Sequence, residues 1–148
     1  MSRANPRRIL IDTGPLVAIL KADDSNHQKC VASLREMDQP LYTCWPVMTE
    51  AAWLLRHSPH AVQRLLAAVN GEFLEVLPMA GAEAKAIGAI MKRYESIRPQ
   101  LADAALVYLA DREKIDTIFT LDRRDFSIYR TSHGTSRRRA FRIVPEIE

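Results

Sequence analysis

RILIDTGPLVAIL, residues Arg8 to Leu20, is the stretch whose reading decides the fold. Arg8 to Ile11 reads as a short strand, and its three consecutive apolar residues are the pattern of a strand covered on both faces. Asp12 ends the run. Gly14 and Pro15 then open a helix, with proline at the first helical position, where its missing N–H costs nothing. A strand that feeds directly into a helix is the opening unit of an alternating α/β fold.

The rest of the chain continues the alternation. A helix is expected over 26–37 with Ser25 as its N-cap, and Leu41 to Trp45 reads as a strand closed by Pro46. Helices follow over 47–56 and 59–70, the latter with Ser58 as N-cap and Gly71 as its stop. Strand 73–77, helices 81–96 and 101–113, and strands 117–121 and 141–144 complete the order. Residues 127–139 read as an irregular polar loop. There is no internal repeat and no low-complexity linker, so residues 1–148 are expected to form one domain. The expected architecture is three-layer α/β, a mainly parallel sheet of about five strands flanked by helices.

Composition narrows the functional classes. With 47% hydrophobic and 26% charged residues, the chain has the balance of a folded soluble protein. No apolar run approaches the ~20 residues of a membrane span. Basic residues precede Ile9, but Asp12 interrupts the apolar stretch far too early for an export signal, so the cytoplasm is the expected compartment. Cys30 and Cys44 lack metal-ligand spacing and read as small core residues. A formal charge of +3 permits nucleic-acid binding without demonstrating it.

In a parallel sheet, ligands bind beyond the carboxyl ends of the strands, where the strand order reverses. Asp12 and Asp122 each follow a buried strand there, although either could instead cap the next helix. Glu50 and Asp103 stand out differently. Glu50 has Val47, Trp53 and Leu54 at helical spacing, and Asp103 has Leu106, Val107 and Ala110. A carboxylate on such a face must be paired, protonated or bound to a cation, since burying it bare costs several kcal/mol or more. A salt bridge to Arg56 or Arg98 would satisfy one such acid but not four. Clustered carboxylates raise one another's pKa, and a divalent cation reverses this. An all-oxygen site suits Mg²⁺ or Mn²⁺, as one ion or two, with chemistry on phosphate. Arg123 and Arg124 beside Asp122, and the run Arg137, Arg138 and Arg139, are either solvated surface or phosphate contacts.

IDTGPLVAIL (11–20), PVMTEAAWLL (46–55), LADAALVYLA (101–110) and FTLDRRDF (119–126) together resemble a PIN-domain protein of the VapC toxin-ribonuclease type. The resemblance covers the chain nearly end to end. It implies Mg²⁺- or Mn²⁺-dependent cleavage of RNA, with Asp12, Glu50, Asp103 and Asp122 as the acidic quartet and no organic cofactor. It implies supporting roles for Thr120 and Thr13, and for Asp125 either an additional acid or a turn cap. Asp23 and His27 lie in a family-like stretch, with His27 read as structural. A cognate antitoxin and a homodimer are further implications.

A haloacid-dehalogenase-type phosphatase needs an acid two residues after Asp12, where Gly14 stands, and a receiver-type phosphoacceptor needs an acidic pair at its first strand. A non-catalytic PIN-like scaffold binding RNA or protein is the alternative; its members would be expected to lose an acid, whereas this quartet is intact.

Overall fold

The computed structural model describes residues 7–132 and 137–146. In chain order the elements are β1 (Ile9–Ile11), α1 (Thr13–Leu20), α2 (His27–Arg35), β2 (Leu41–Thr43), α3 (Trp45–Leu54), α4 (Pro59–Asn70) and β3 (Leu74–Val76). They continue with α5 (Ala84–Arg93), α6 (Leu101–Glu113), β4 (Thr117–Phe119), α7 (Arg123–Phe126), β5 (Arg130–Thr131), β6 (Arg139–Ala140) and β7 (Arg142–Val144).

Five strands form one all-parallel sheet in the order β3-β2-β1-β4-β7. The chain builds outward from β1 in one direction through β2 and β3, then returns to β1's other side with β4. The order therefore reverses between β1 and β4, and the carboxyl ends of those two strands are where a sheet of this kind binds ligands. Both strands are buried throughout, as continuous apolar runs in a covered parallel sheet require. Their register, Ile9 opposite Thr117 and Ile11 opposite Phe119, brings Asp12 level with Thr120.

The α6 helix is buried along most of its length. Ala102, Ala104, Ala105, Leu106, Val107, Leu109 and Ala110 are all buried. It packs against α5 and α3, and Lys114, in the left-handed conformation at φ 56°, ends it.

Several local readings are corrected. The first helix starts at Thr13, so Pro15 is its third residue, still within the turn whose N–H groups lack helical acceptors. Asn26, not Ser25, takes the N-cap position of α2, and the Asp24 carboxylate accepts from the Asn26 N–H just before it. Ser58 holds its predicted N-cap position but makes no capping bond through its side chain. Trp45 opens α3 rather than ending β2, because Pro46 is as acceptable in a first helical turn as after a strand. The helix expected over 81–96 is α5 flanked by 3₁₀ turns at Gly81–Glu83 and Glu95–Ile97. The stretch expected to be an irregular loop over 127–139 contains β5, paired antiparallel with β6 (Thr131 opposite Arg139).

Candidate metal-dependent active site

Asp12 directly follows β1, at the carboxyl end of the sheet beside the reversal of strand order. Its N–H donates to the Phe119 carbonyl of the neighbouring strand (2.9 Å), so the sheet ladder itself sets its position. It also caps α1, with Oδ1 accepting from the Thr13 N–H at 2.8 Å. Capping α1 therefore does not remove Asp12 from the end of the sheet, since its second oxygen faces the neighbouring strand. Oδ2 accepts from the Thr120 hydroxyl at 2.8 Å. Asp12 is only 7% exposed, and burial pushes its carboxyl up from the ordinary carboxylate range, against the lowering effect of Thr120 and Thr13.

Threonines join three of the four acids. Thr13 donates from Oγ1 to the Glu50 carboxylate at 3.3 Å. The Thr120 hydroxyl, while donating to Asp12, accepts from the Asp122 N–H at 3.0 Å. Asp122 in turn caps α7, accepting from the Asp125 N–H at 3.0 Å. Asp125 is thus the capped residue rather than the cap. Its own carboxyl is raised, by desolvation first and then by Asp122, which is the behaviour of an acid at the rim of a negative cluster.

Asp103 completes the group from the first turn of α6. Burial pushes its carboxyl up to about 7, with Asp12, Asp122 and Glu50 adding repulsion, while a backbone N–H from Gln100 at 3.3 Å opposes the rise. Leu106, Val107 and Ala110 beside it are fully buried, as the sequence spacing indicates. Glu50 is different. Val47 is buried, but Trp53 and Leu54 stand 63% and 48% exposed, so its apolar helix face is surface and not core.

No arginine or lysine neutralises the quartet among the described residues. Arg56 stacks on the Trp53 ring at 4.0 Å and donates to the Trp53 carbonyl, and Arg98 occupies an exposed left-handed position. The ion pairs of Arg112 with Glu83 and Arg142 with Glu146 lie elsewhere. Four coupled carboxylates, two of them held above their normal range, form a site short of positive charge. Among the described residues no three His, Cys, Asp or Glu side chains converge tightly enough to cage a metal ion. The donors nevertheless fit Mg²⁺ or Mn²⁺, which need only one or two carboxylates with water filling the remaining positions.

The other sequence-derived residues divide. His27 donates from Nδ1 to the Ala18 carbonyl at 2.7 Å, tying α2 to α1, and Asp23 is exposed in the preceding turn. Arg123 donates to the Pro145 carbonyl, whereas Arg124 is exposed beside Asp122. Arg137, Arg138 and Arg139 are exposed, but the end of β5, which pairs with β6, is fastened to Asp111 through Thr131 and Ser132. Asp111 lies eight residues along α6 from Asp103, about 12 Å at the helical rise.

One residue escapes sequence reading. Tyr129 is fully buried in an aromatic cluster, edge-on to Tyr94 and Phe126 at 5.0 Å each. Among the described residues its hydroxyl has no hydrogen-bond partner, which costs about 1–3 kcal/mol. Burial raises its pKa, followed by Asp103, Asp125, Asp122 and Asp12, so the hydroxyl lies in the field of the cluster. A single tyrosine in a polar stretch has no periodicity to reveal it.

Comparison with known proteins agrees with this geometry. The PIN domain family model matches residues 9–132. Ribonuclease VapC26 of Mycobacterium tuberculosis is 32% identical over 139 residues, covering 93% of this chain and 100% of that protein. The crystal structure of VapC20 from the same organism, a sarcin-ricin loop cleaving toxin, aligns with a TM-score of 0.68. That alignment covers 74% of this chain and 86% of VapC20 at 16% identity, so the likeness is one of fold.

Proposed function

We propose that this chain, which belongs to the PIN-domain family, is a divalent-metal-dependent endoribonuclease of the VapC toxin type. The observation that carries the reading is the junction of Asp12, Glu50, Asp103 and Asp122 at the reversal of strand order, with no basic side chain paired to them among the described residues.

Asp12, Asp103 and Asp122 would hold Mg²⁺ or Mn²⁺, with Glu50 at the open side of the site. When bound, the cation supplies positive charge against the developing phosphate charge and lowers the pKa of attacking water. The chain's own groups do the rest. Thr120 and Thr13 fix the orientation of Asp12 and Glu50, so these carboxylates need little reorganisation when the site fills. Asp103, whose carboxyl is raised to about 7 while the site is empty, would give up its proton as the cation binds, so loading is favoured as pH rises through neutrality. Arg124, exposed next to Asp122, is placed to contact a backbone phosphate, with Arg138 and Arg139 available to RNA extending farther away.

An antitoxin partner and a second copy of the chain belong to the same reading, as does a cytoplasmic location. No helix among the described residues is long and apolar enough to cross a membrane. Exposed Trp53 and Leu54, on the face of α3 that carries Glu50, support a protein partner at the rim of the site.

The deciding experiment incubates mixed cellular RNA with wild type and Asp12→Asn, with Mg²⁺, with Mn²⁺ and with chelator. Cleavage by wild type alone, abolished by chelator, is expected. Equal cleavage by both proteins, or cleavage that survives chelation, overturns the reading.

A further inference from the structure

On the metal-dependent reading above, we propose that Tyr129 is a positioning residue for Asp103, donating a hydrogen bond to its carboxylate across one water when the site is charged. The four acids are not equally held. Asp12 and Glu50 accept from threonine hydroxyls, and the Asp122 backbone is fixed by a third such bond. Asp103 receives only the long contact from the Gln100 N–H. Asp103 is also the first of the acids whose charge acts on Tyr129, a fully buried hydroxyl with no partner among the described residues.

The surrounding residues make this a placed donor. Tyr94 uses its hydroxyl to accept from the Arg130 N–H, and Tyr108 donates to Glu83. Tyr129 alone of these three leaves its hydroxyl unused. Its ring is held edge-on by Tyr94 and Phe126, and Phe126 packs in turn against Phe141 at 5.8 Å, so the aromatic cluster sets the direction of the hydroxyl. Of the charged groups acting on it, Asp103 weighs most. The phenol keeps its proton at physiological pH, so it remains a donor and does not add to the cluster's negative charge. A donor held in this way matches the outer-sphere partners that orient metal-binding carboxylates.

The test measures Mn²⁺ affinity by calorimetric titration, with Tyr129→Phe and Tyr94→Phe compared against wild type. Phenylalanine keeps the ring and removes only the hydroxyl, and the metal-free Tm of each variant reports folding. Tyr129→Phe is expected to bind Mn²⁺ about tenfold more weakly, with a metal-free Tm no lower than wild type because no formed hydrogen bond is lost. Tyr94→Phe is expected to keep wild-type affinity. Unchanged affinity in Tyr129→Phe overturns the assignment and leaves the metal-dependent reading standing. Equal weakening in both variants also overturns it, by tracing the effect to aromatic packing. Failure of wild type to bind Mn²⁺ overturns the metal-dependent reading and this assignment with it.

Discussion

The hydroxyl of Thr120 donates to Asp12 across 108 positions of sequence, at 2.8 Å, and so fastens the end of β4 to the end of β1. The same oxygen receives the Asp122 N–H, which makes Thr120 the joint between two acids that the chain supplies from different strands. Parallel register alone brings Asp12 and Thr120 level; the hydroxyl converts that adjacency into a fixed geometry.

Thr120→Val removes this joint while keeping the side chain's shape. Asp12 Oδ2 then lies buried without its donor. A stability loss of about 1–2 kcal/mol is expected, together with a fall in kcat of at least about tenfold. Thr120→Ser keeps the hydroxyl and should retain most activity. Urea unfolding and single-turnover RNA cleavage check both effects; wild-type kcat in Thr120→Val would show that the joint is structural only.

Asp103 gives a pH signature. Its folded-state pKa, about 7, lies above the unfolded value of 3.8, with burial the first cause and Asp12 the next. Folded protein therefore binds the proton more tightly than unfolded protein does. The stabilisation is present in full below the unfolded pKa and is lost as pH rises through about 7. The metal-free protein should thus lose on the order of 3 kcal/mol from this group between pH 4 and 8. In Asp103→Asn that slope should flatten and cleavage should fall by at least about 100-fold. Denaturant melts across this range, with Mg²⁺ and with chelator, check it; an equally steep slope in the variant would contradict the assignment.

How much of this was legible in the sequence depends on range. The strand of Ile9 to Ile11 and the placement of Asp12 follow from three adjacent residues, and the parallel sheet follows from alternation. The apolar neighbours of Asp103 follow from the spacing of Leu106, Val107 and Ala110 and are buried, whereas Asp103 itself is half-buried at the edge of that packing. The same reasoning misjudged Glu50, because periodicity marks an apolar face without saying whether another element covers it. It extended two strands too far: Trp45 opens a helix, and β4 stops at Phe119, leaving Thr120 free to turn its hydroxyl toward Asp12. Tyr129 is invisible locally, since its meaning comes from Tyr94 and from acids distant in sequence.

The two cysteines test the core. Cys30 and Cys44 are both fully buried, and burial pushes the Cys44 thiol up to about 11. Thiolate is the reactive form, so native protein should react with a disulfide reagent only as fast as it opens. Both thiols should titrate at once in denaturant. Rapid reaction of either in the native state would show that α2, or the β2–α3 junction, is looser than its burial implies.

Arg123 and Arg124 are neighbours with separate tasks, and their variants should diverge. Arg123 donates to the Pro145 carbonyl and so pins the segment after β7. Arg123→Ala should cost about 1 kcal/mol of stability. Arg124 is exposed next to Asp122, and a phosphate contact there would act on binding before chemistry. Arg124→Ala should raise KM severalfold with kcat nearly unchanged, the pattern of lost uniform binding. The slope of log affinity against log salt should also fall by about one, the signature of a single released phosphate contact. RNA binding measured on an Asp12→Asn background, which removes cleavage, supplies the salt slope directly. An unchanged slope would place RNA away from α7 and turn attention to Arg138 and Arg139.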